Sequence, residues 1–155
     1  RMKARLGLQS VDAGDQRLVD QLQAILVEQR VDHNRFLRAL AEWQPGNAVG
    51  DRELLAFVER PEALQAWLQQ YRLRARQEVA SEPIRRQQMR SVNPRFILRN
   101  YMAEEVIREA HQGDYRPLHD LLPLLRHPGD VHPGFEHYAG PRPQWAESIY
   151  LTCSS

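Results

Sequence analysis

Three groups of side chains in this sequence have types and spacings that could do chemistry. Cys153 is the first, the only cysteine among 155 residues and third from the end. As a catalytic nucleophile it would need a neighbouring base and a structured pocket, which its surroundings do not offer. A thiol near a chain end can reach a partner thiol with little strain, so a redox role stands against the plainer reading of a frayed tail. The second group is His127, His132 and His137, five residues apart beside Asp130 and Glu136. This spacing matches no established zinc pattern, and the stretch is rich in Pro and Gly and lacks thiolates. Surface or packing histidines are expected, and no metal is assigned.

The third group is basic. From Arg72 to Arg99 there are eight arginines against only Glu78 and Glu82, in a chain whose net charge is +1. Arg72, Arg74 and Arg76 alternate and cannot share one helical face, so much of this charge is expected to be solvated or paired with carboxylates of neighbouring elements. The alternative is an anion contact through Arg85, Arg86, Arg90, Arg95 and Arg99. It would touch the phosphate of a nucleotide bound elsewhere, RNA or an acidic protein. Only Tyr71, Phe96 and Tyr101 supply nearby rings, a sparse stacking platform that disfavours nucleic acid. The near-neutral total predicts neither DNA binding nor a polyacidic partner.

Local phosphate-handling motifs are missing. The sequence has no G-x-x-x-x-G-K-[ST], G-x-G-x-x-G, H-R-D or D-F-G run, and its eight glycines are scattered singly. Any nucleotide chemistry is therefore expected outside this chain. The opening Arg1-Met2-Lys3-Ala4-Arg5-Leu6 reads as the middle of a longer helix, and hence of a longer polypeptide.

The elements that must position these groups are helical. Leu18, Leu22, Ile25 and Leu26 define one stripe, with Asp15 as a plausible N-cap. Asp32 suits the cap of a helix bearing Phe36, Leu37 and Leu40, ended by Pro45-Gly46-Asn47. Asp51 opens a third helix with Leu54, Leu55 and Val58. Pro61 opens a fourth, with Leu64, Trp67, Leu68 and Tyr71 on one face. Pro83 and Asn93-Pro94 allow a short helix at most between them. Tyr101, Met102, Val106, Ile107 and Ala110 mark a helix over about 99–112 that Gly113 stops, and Asp114 then caps one bearing Leu118, Leu121, Leu122 and Leu125.

After Arg126 prolines and glycines exclude long elements, and Trp145 is expected to anchor an extended tail. The fold class is all-α: an irregular domain of about six or seven helices over 1–126, with a Pro/Gly-rich docking tail over 127–155. Hydrophobic residues make up 42% and charged residues 26%, ordinary for a folded domain, and no run approaches a bilayer span. The lone cysteine and these features suit a cytoplasmic, bacterial setting.

The run Asn93-Pro94-Arg95-Phe96-Ile97-Leu98-Arg99-Asn100-Tyr101, followed by Ala103, Ile107 and Gly113-Asp114, resembles the N-P-x-x-I-L-R-N-Y segment of the SelO/YdiU family. Leu121-Leu122 to Pro128, then Tyr138-Ala139, Pro141, Pro143, Trp145 and Cys153-Ser154-Ser155, are similar to that family's closing block. Lys3 to Leu8 resemble the helix after its kinase-like core. The likeness implies the C-terminal region of a protein adenylyltransferase. Such an enzyme binds ATP in a reversed pose and, with Mg²⁺ or Mn²⁺, transfers AMP to Ser, Thr or Tyr hydroxyls of protein substrates. It also implies that the catalytic groups lie in a missing N-terminal kinase-like domain, so none is assigned here and the fragment alone is expected to be inactive. Cys153 falls at the family's redox-linked C-terminal cysteine, whose partner would lie in that domain. The rival expectation is a non-catalytic module using the Arg72 to Arg99 surface for RNA or an acidic protein.

Overall fold

The computed structural model describes residues 2–146, and within them the fold is helical. In chain order the helices are α1 (Met2–Arg5), α2 (Asp15–Glu28), α3 (His33–Glu42), α4 (Ala48–Leu55), α5 (Glu62–Ala75), α6 (Glu82–Val92), α7 (Asn100–His111) and α8 (Arg116–Arg126). Two 3₁₀ turns, Glu136–Ala139 and Gln144–Ala146, follow. No strand occurs among the described residues. The chain divides into two compact units, Arg1–Pro94 and Arg95–Ser155. This division does not coincide with the change in composition at 126/127, because residues after Arg126 contribute Phe135, Tyr138, Ala139 and Ala146 to the second core.

Local sequence explains most boundaries. The Asp32 carboxylate accepts from the amides of Asn34 and Arg35, both at 3.0 Å, satisfying two orphan donors at the start of α3. Asn47 accepts from Val49 N at 3.0 Å, so α4 starts three residues before Asp51 and ends before Val58. Pro61 lies just before α5, at its N-cap position. From Glu82, just before Pro83, to Val92 the structure holds an 11-residue helix, longer than expected: in the first turn a proline removes a hydrogen bond that would not have formed. Asp15 is not an N-cap. It is the first helical residue of α2, fully buried, and its carboxylate turns away from the helix amides.

Three helices end in the same way. Leu8 N bonds to Lys3 O and Gly7 N to Ala4 O after α1, and matching pairs close α2 at Arg30-Val31 and α7 at Gly113-Asp114. Each stop needs a left-handed residue, with φ of 70° at Gly7, 54° at Arg30 and 85° at Gly113. Gly7 has a second constraint, since a Cβ there would lie 2.8 Å from Met89 Sδ and 3.0 Å from Arg85 Cγ. Gly7→Ala is expected to destabilise the first unit by about 2–4 kcal/mol, from left-handed strain plus overpacking. Urea unfolding checks this; a loss under about 0.5 kcal/mol would contradict the packing described.

The first core gathers Leu6, Leu22, Leu26, Phe36, Leu37, Leu40, Leu54, Leu64, Trp67, Tyr71 and Met89. α5 supplies its polar ties. Trp67 Nε1 donates to Leu18 O at 2.8 Å, and Tyr71 Oη donates to Leu6 O at 2.6 Å. Burial pushes the Tyr71 hydroxyl up to about 12, so it stays protonated as a donor. In the second unit Phe96, Tyr101, Met102, Val106, Leu121 and Leu124 pack together. Ile107, expected on this apolar face, is exposed, as is Leu122. Pro128 O accepts from the amides of Arg95 and Phe96, and the Trp145 ring meets Tyr101 edge-on at 5.9 Å, holding the post-α8 segment against α7.

Candidate anion-contact surface

The arginine-rich stretch runs through α5, α6 and the segment before α7, so its members meet different surroundings. On α6, Arg85 points inward and is 1% exposed. Its Nη2 donates to Trp43 O at 2.6 Å and to Glu82 Oε2 at 3.0 Å, while Nη1 donates to Tyr71 Oη at 3.2 Å and to Met89 Sδ at 2.8 Å. Arg86 and Arg90 face α3. Arg90 grips Glu42 with two bonds of 2.6 Å, a bidentate fork. Arg86 Nε lies 4.0 Å from the same carboxylate, is buried and makes no hydrogen bond. Arg38 donates to the carbonyls of Arg90 and Asn93, satisfying the end of α6. The Glu42 carboxyl is held below its usual range by the Arg90 hydrogen bond first, against burial, with the charges of Arg90, Arg38 and Arg86 adding to it.

The α5 arginines are bound to acids. Arg72 Nη2 lies 2.5 Å from Asp51 Oδ2, with its guanidinium 5.9 Å from the Trp43 ring, and Asp51 Oδ1 accepts Trp43 Nε1 at 2.7 Å. Beside them a cleft of about 530 Å³ is lined by Arg52, Gln65, Gln69 and Arg72 among others. Arg74 is buried between two carboxylates, 2.7 Å from Asp15 and 2.7 Å from Glu78. Lys3 approaches Asp15 at 3.2 Å, and Glu78 also accepts from Gln9 N, Ser10 N and Ser10 Oγ. Burial opposes ionisation of both acids, but the hydrogen bonds outweigh it and both carboxyls sit below their ordinary values.

Arg95 and Arg99 belong to the second unit and are half-buried. The Arg95 charge adds to the backbone hydrogen bonds that keep the Glu136 carboxyl low, and Arg99 is engaged at the start of α7. The histidines sit among aromatic rings: His132 meets Phe96 edge-on at 5.4 Å and lies 3.2 Å from His127 O, while His137 lies 4.1 Å from the Tyr138 ring. No group of three or more His, Cys, Asp or Glu able to hold a metal occurs among the described residues. Cys153 lies outside the described residues. The structure therefore brings together Arg86 and Arg90 with Arg38, a residue the sequence did not single out. The Asp15–Arg74–Glu78 cluster was legible only in part: Arg74 and Glu78 are four residues apart, but Asp15 lies 59 residues from Arg74 and leaves no local pattern.

The comparisons with known proteins agree on one relationship. A family profile described as "Protein adenylyltransferase SelO" matches residues 1–126. The chain is 42% identical to the "Protein nucleotidyltransferase YdiU" of Ralstonia nicotianae, over 100% of this chain and 30% of that relative. For the proteins of the same name from Vibrio parahaemolyticus and Hahella chejuensis, identity is 41% and 40%, over 99% and 100% of this chain and 32% of each relative. The chain thus spans about a third of the length of the relatives it matches. No helix among the described residues is long and apolar enough to cross a membrane. By the profile match and by identity along its whole length, the chain belongs to the SelO family of protein adenylyltransferases.

Proposed function

We propose that this chain is the C-terminal helical part of a cytoplasmic protein adenylyltransferase, and that it supplies packing surface and a redox-active thiol, Cys153, to a kinase-like domain that precedes it. The observation that carries the reading is proportion: relatives named nucleotidyltransferases match this chain end to end, yet about two thirds of their length lies outside it. The acids of the first unit support the same division of labour. Asp15, Glu42, Asp51 and Glu78 each hold an arginine, so they do not fit a divalent ion. ATP, its Mg²⁺ or Mn²⁺, and the transfer of AMP to Ser, Thr or Tyr hydroxyls of proteins are assigned to the rest of the polypeptide.

The test uses the full-length parent and the 155-residue chain side by side, with labelled ATP, Mg²⁺ and a mixture of acceptor proteins. The parent is expected to label protein with AMP and the shorter chain to label none. Cys153→Ser in the parent is expected to leave AMP transfer insensitive to oxidant. AMP labelling by the short chain alone would overturn the assignment of roles.

The α3–α6 seam favours a second reading, because the charges of Arg90, Arg38 and Arg86 all act on the carboxylate of Glu42. There the surface would hold RNA or an acidic protein. Salt-dependent retention on RNA that falls when Arg86 and Arg90 become Ala would support it.

A further inference from the structure

The cleft beside Arg72 lies between α4 and α5, two helices of the first unit that pack on one another. From α4 it is lined by Ala48, Asp51, Arg52 and Leu55. From α5 it is lined by Gln65, Leu68, Gln69 and Arg72. Each set follows the spacing i, i+3, i+4, i+7, so each is one face of its helix. Where two helices meet, such faces are normally apolar; here only Ala48, Leu55 and Leu68 are.

Most of the polar groups in this cleft are unspent. The side chains of Arg52, Gln65 and Gln69 are exposed and make no hydrogen bond or ion pair among the described residues. Arg72 gives one donor to Asp51 Oδ2, while its Nε is buried without a partner. Asp51 has both oxygens engaged, one by Arg72 and the other by Trp43 Nε1. With that carboxylate neutralised, the cleft carries an excess positive charge on Arg52.

We infer that the α4–α5 cleft binds a short, extended, acidic segment of a second protein. Arg52 and the remaining donors of Arg72 suit a carboxylate side chain. Gln65 and Gln69 sit one helical turn apart, and each offers both a donor and an acceptor, the two groups that a peptide bond needs to meet. A helical segment would have spent those backbone groups already, so the occupant is extended. Leu55, half-buried, gives the floor an apolar contact. A nucleotide fits poorly: no aromatic ring lines the cleft for a base to stack on, and neighbouring Trp43 is only 2% exposed. The volume of about 530 Å³ suits a few residues and not a folded domain.

An array of short peptides, with Glu, Gln or Leu placed at each position in turn, tests the inference. It is probed in the absence of ATP with the labelled 155-residue chain and with the full-length parent. Glu-rich peptides are expected to be retained by both proteins in preference to their Gln counterparts. Binding is expected to weaken about tenfold in Arg52→Glu and about fivefold in Gln65→Ala/Gln69→Ala. All three positions are exposed, so these variants keep the fold. No preference for Glu-rich peptides, or retention unchanged in Arg52→Glu, would overturn the inference. Capture by the short chain but not by the parent would overturn it too, by marking a segment of the parent as the occupant. Displacement of the best peptide by inorganic tripolyphosphate at a lower concentration than by that peptide itself would mark a phosphate site instead. Binding is read without ATP, so a parent that transfers no AMP sinks the proposed function and leaves the peptide result standing.

Discussion

Replacing Arg85 with Ala is expected to destabilise the first unit by about 3–5 kcal/mol, from the void left by a large buried side chain and from the buried Trp43 carbonyl that loses its donor. The guanidinium joins α6 to the end of α3 through Trp43 O and to α5 through Tyr71 Oη. Without it, the Trp43 carbonyl is buried with no donor from Arg85, and a void opens beside Met89 and Gly7. Arg85→Lys keeps the charge but offers a single ammonium in place of a planar fork, so it is expected to recover only part of the loss. Arg85→Met fills the space and leaves the carbonyl, and should fall between Lys and Ala. Urea unfolding of the three variants gives the order. A loss below about 1 kcal/mol for Arg85→Ala would show that the guanidinium is dispensable to packing.

The second large effect belongs to Asp15. Asp15→Ala leaves Arg74 buried beside Glu78 alone and is expected to cost about 3–5 kcal/mol at neutral pH. The acid dependence follows from the sign of the shifts. Asp15 and Glu78 have folded-state values below the ordinary 3.8 and 4.5, so the stability they add is complete above those values and is lost as pH falls through the depressed ones. Unfolding free energy is therefore expected to drop steeply below about pH 4.5 in the native chain and less steeply in Asp15→Ala. Equal acid slopes in the two proteins would remove Asp15 from the account.

The helices were legible because their signals are local. Leu64, Trp67, Leu68 and Tyr71 fall at helical spacing and all four are buried, and Asp32 caps α3 with amides two and three residues away. Charge was harder to read. Arg85 and Arg86 are adjacent in a basic run, yet one is sealed in the core and the other faces α3, a difference decided by the packing of α6 and not by residue type. Asp15 has the chemistry of a cap, but a guanidinium 59 residues away supplies a stronger partner than the helix amides. Pro83 was read as a breaker because proline disrupts a helix interior, and in the first turn that penalty vanishes. The left-handed stop at Arg30 carries no glycine to announce it. Nor does the sequence distinguish Val11 and Val79 from buried valines, since exposure depends on what surrounds a side chain.

The tryptophans give the two units separate optical signatures. Trp43 and Trp67 are 2% exposed and lie against Tyr71, whereas Trp145, in the other unit, is 50% exposed. Emission from the first pair is shielded from a soluble quencher such as acrylamide, and emission from Trp145 is not. A titration that follows quenched and unquenched light separately therefore reports whether Arg1–Pro94 and Arg95–Ser155 melt together or in sequence.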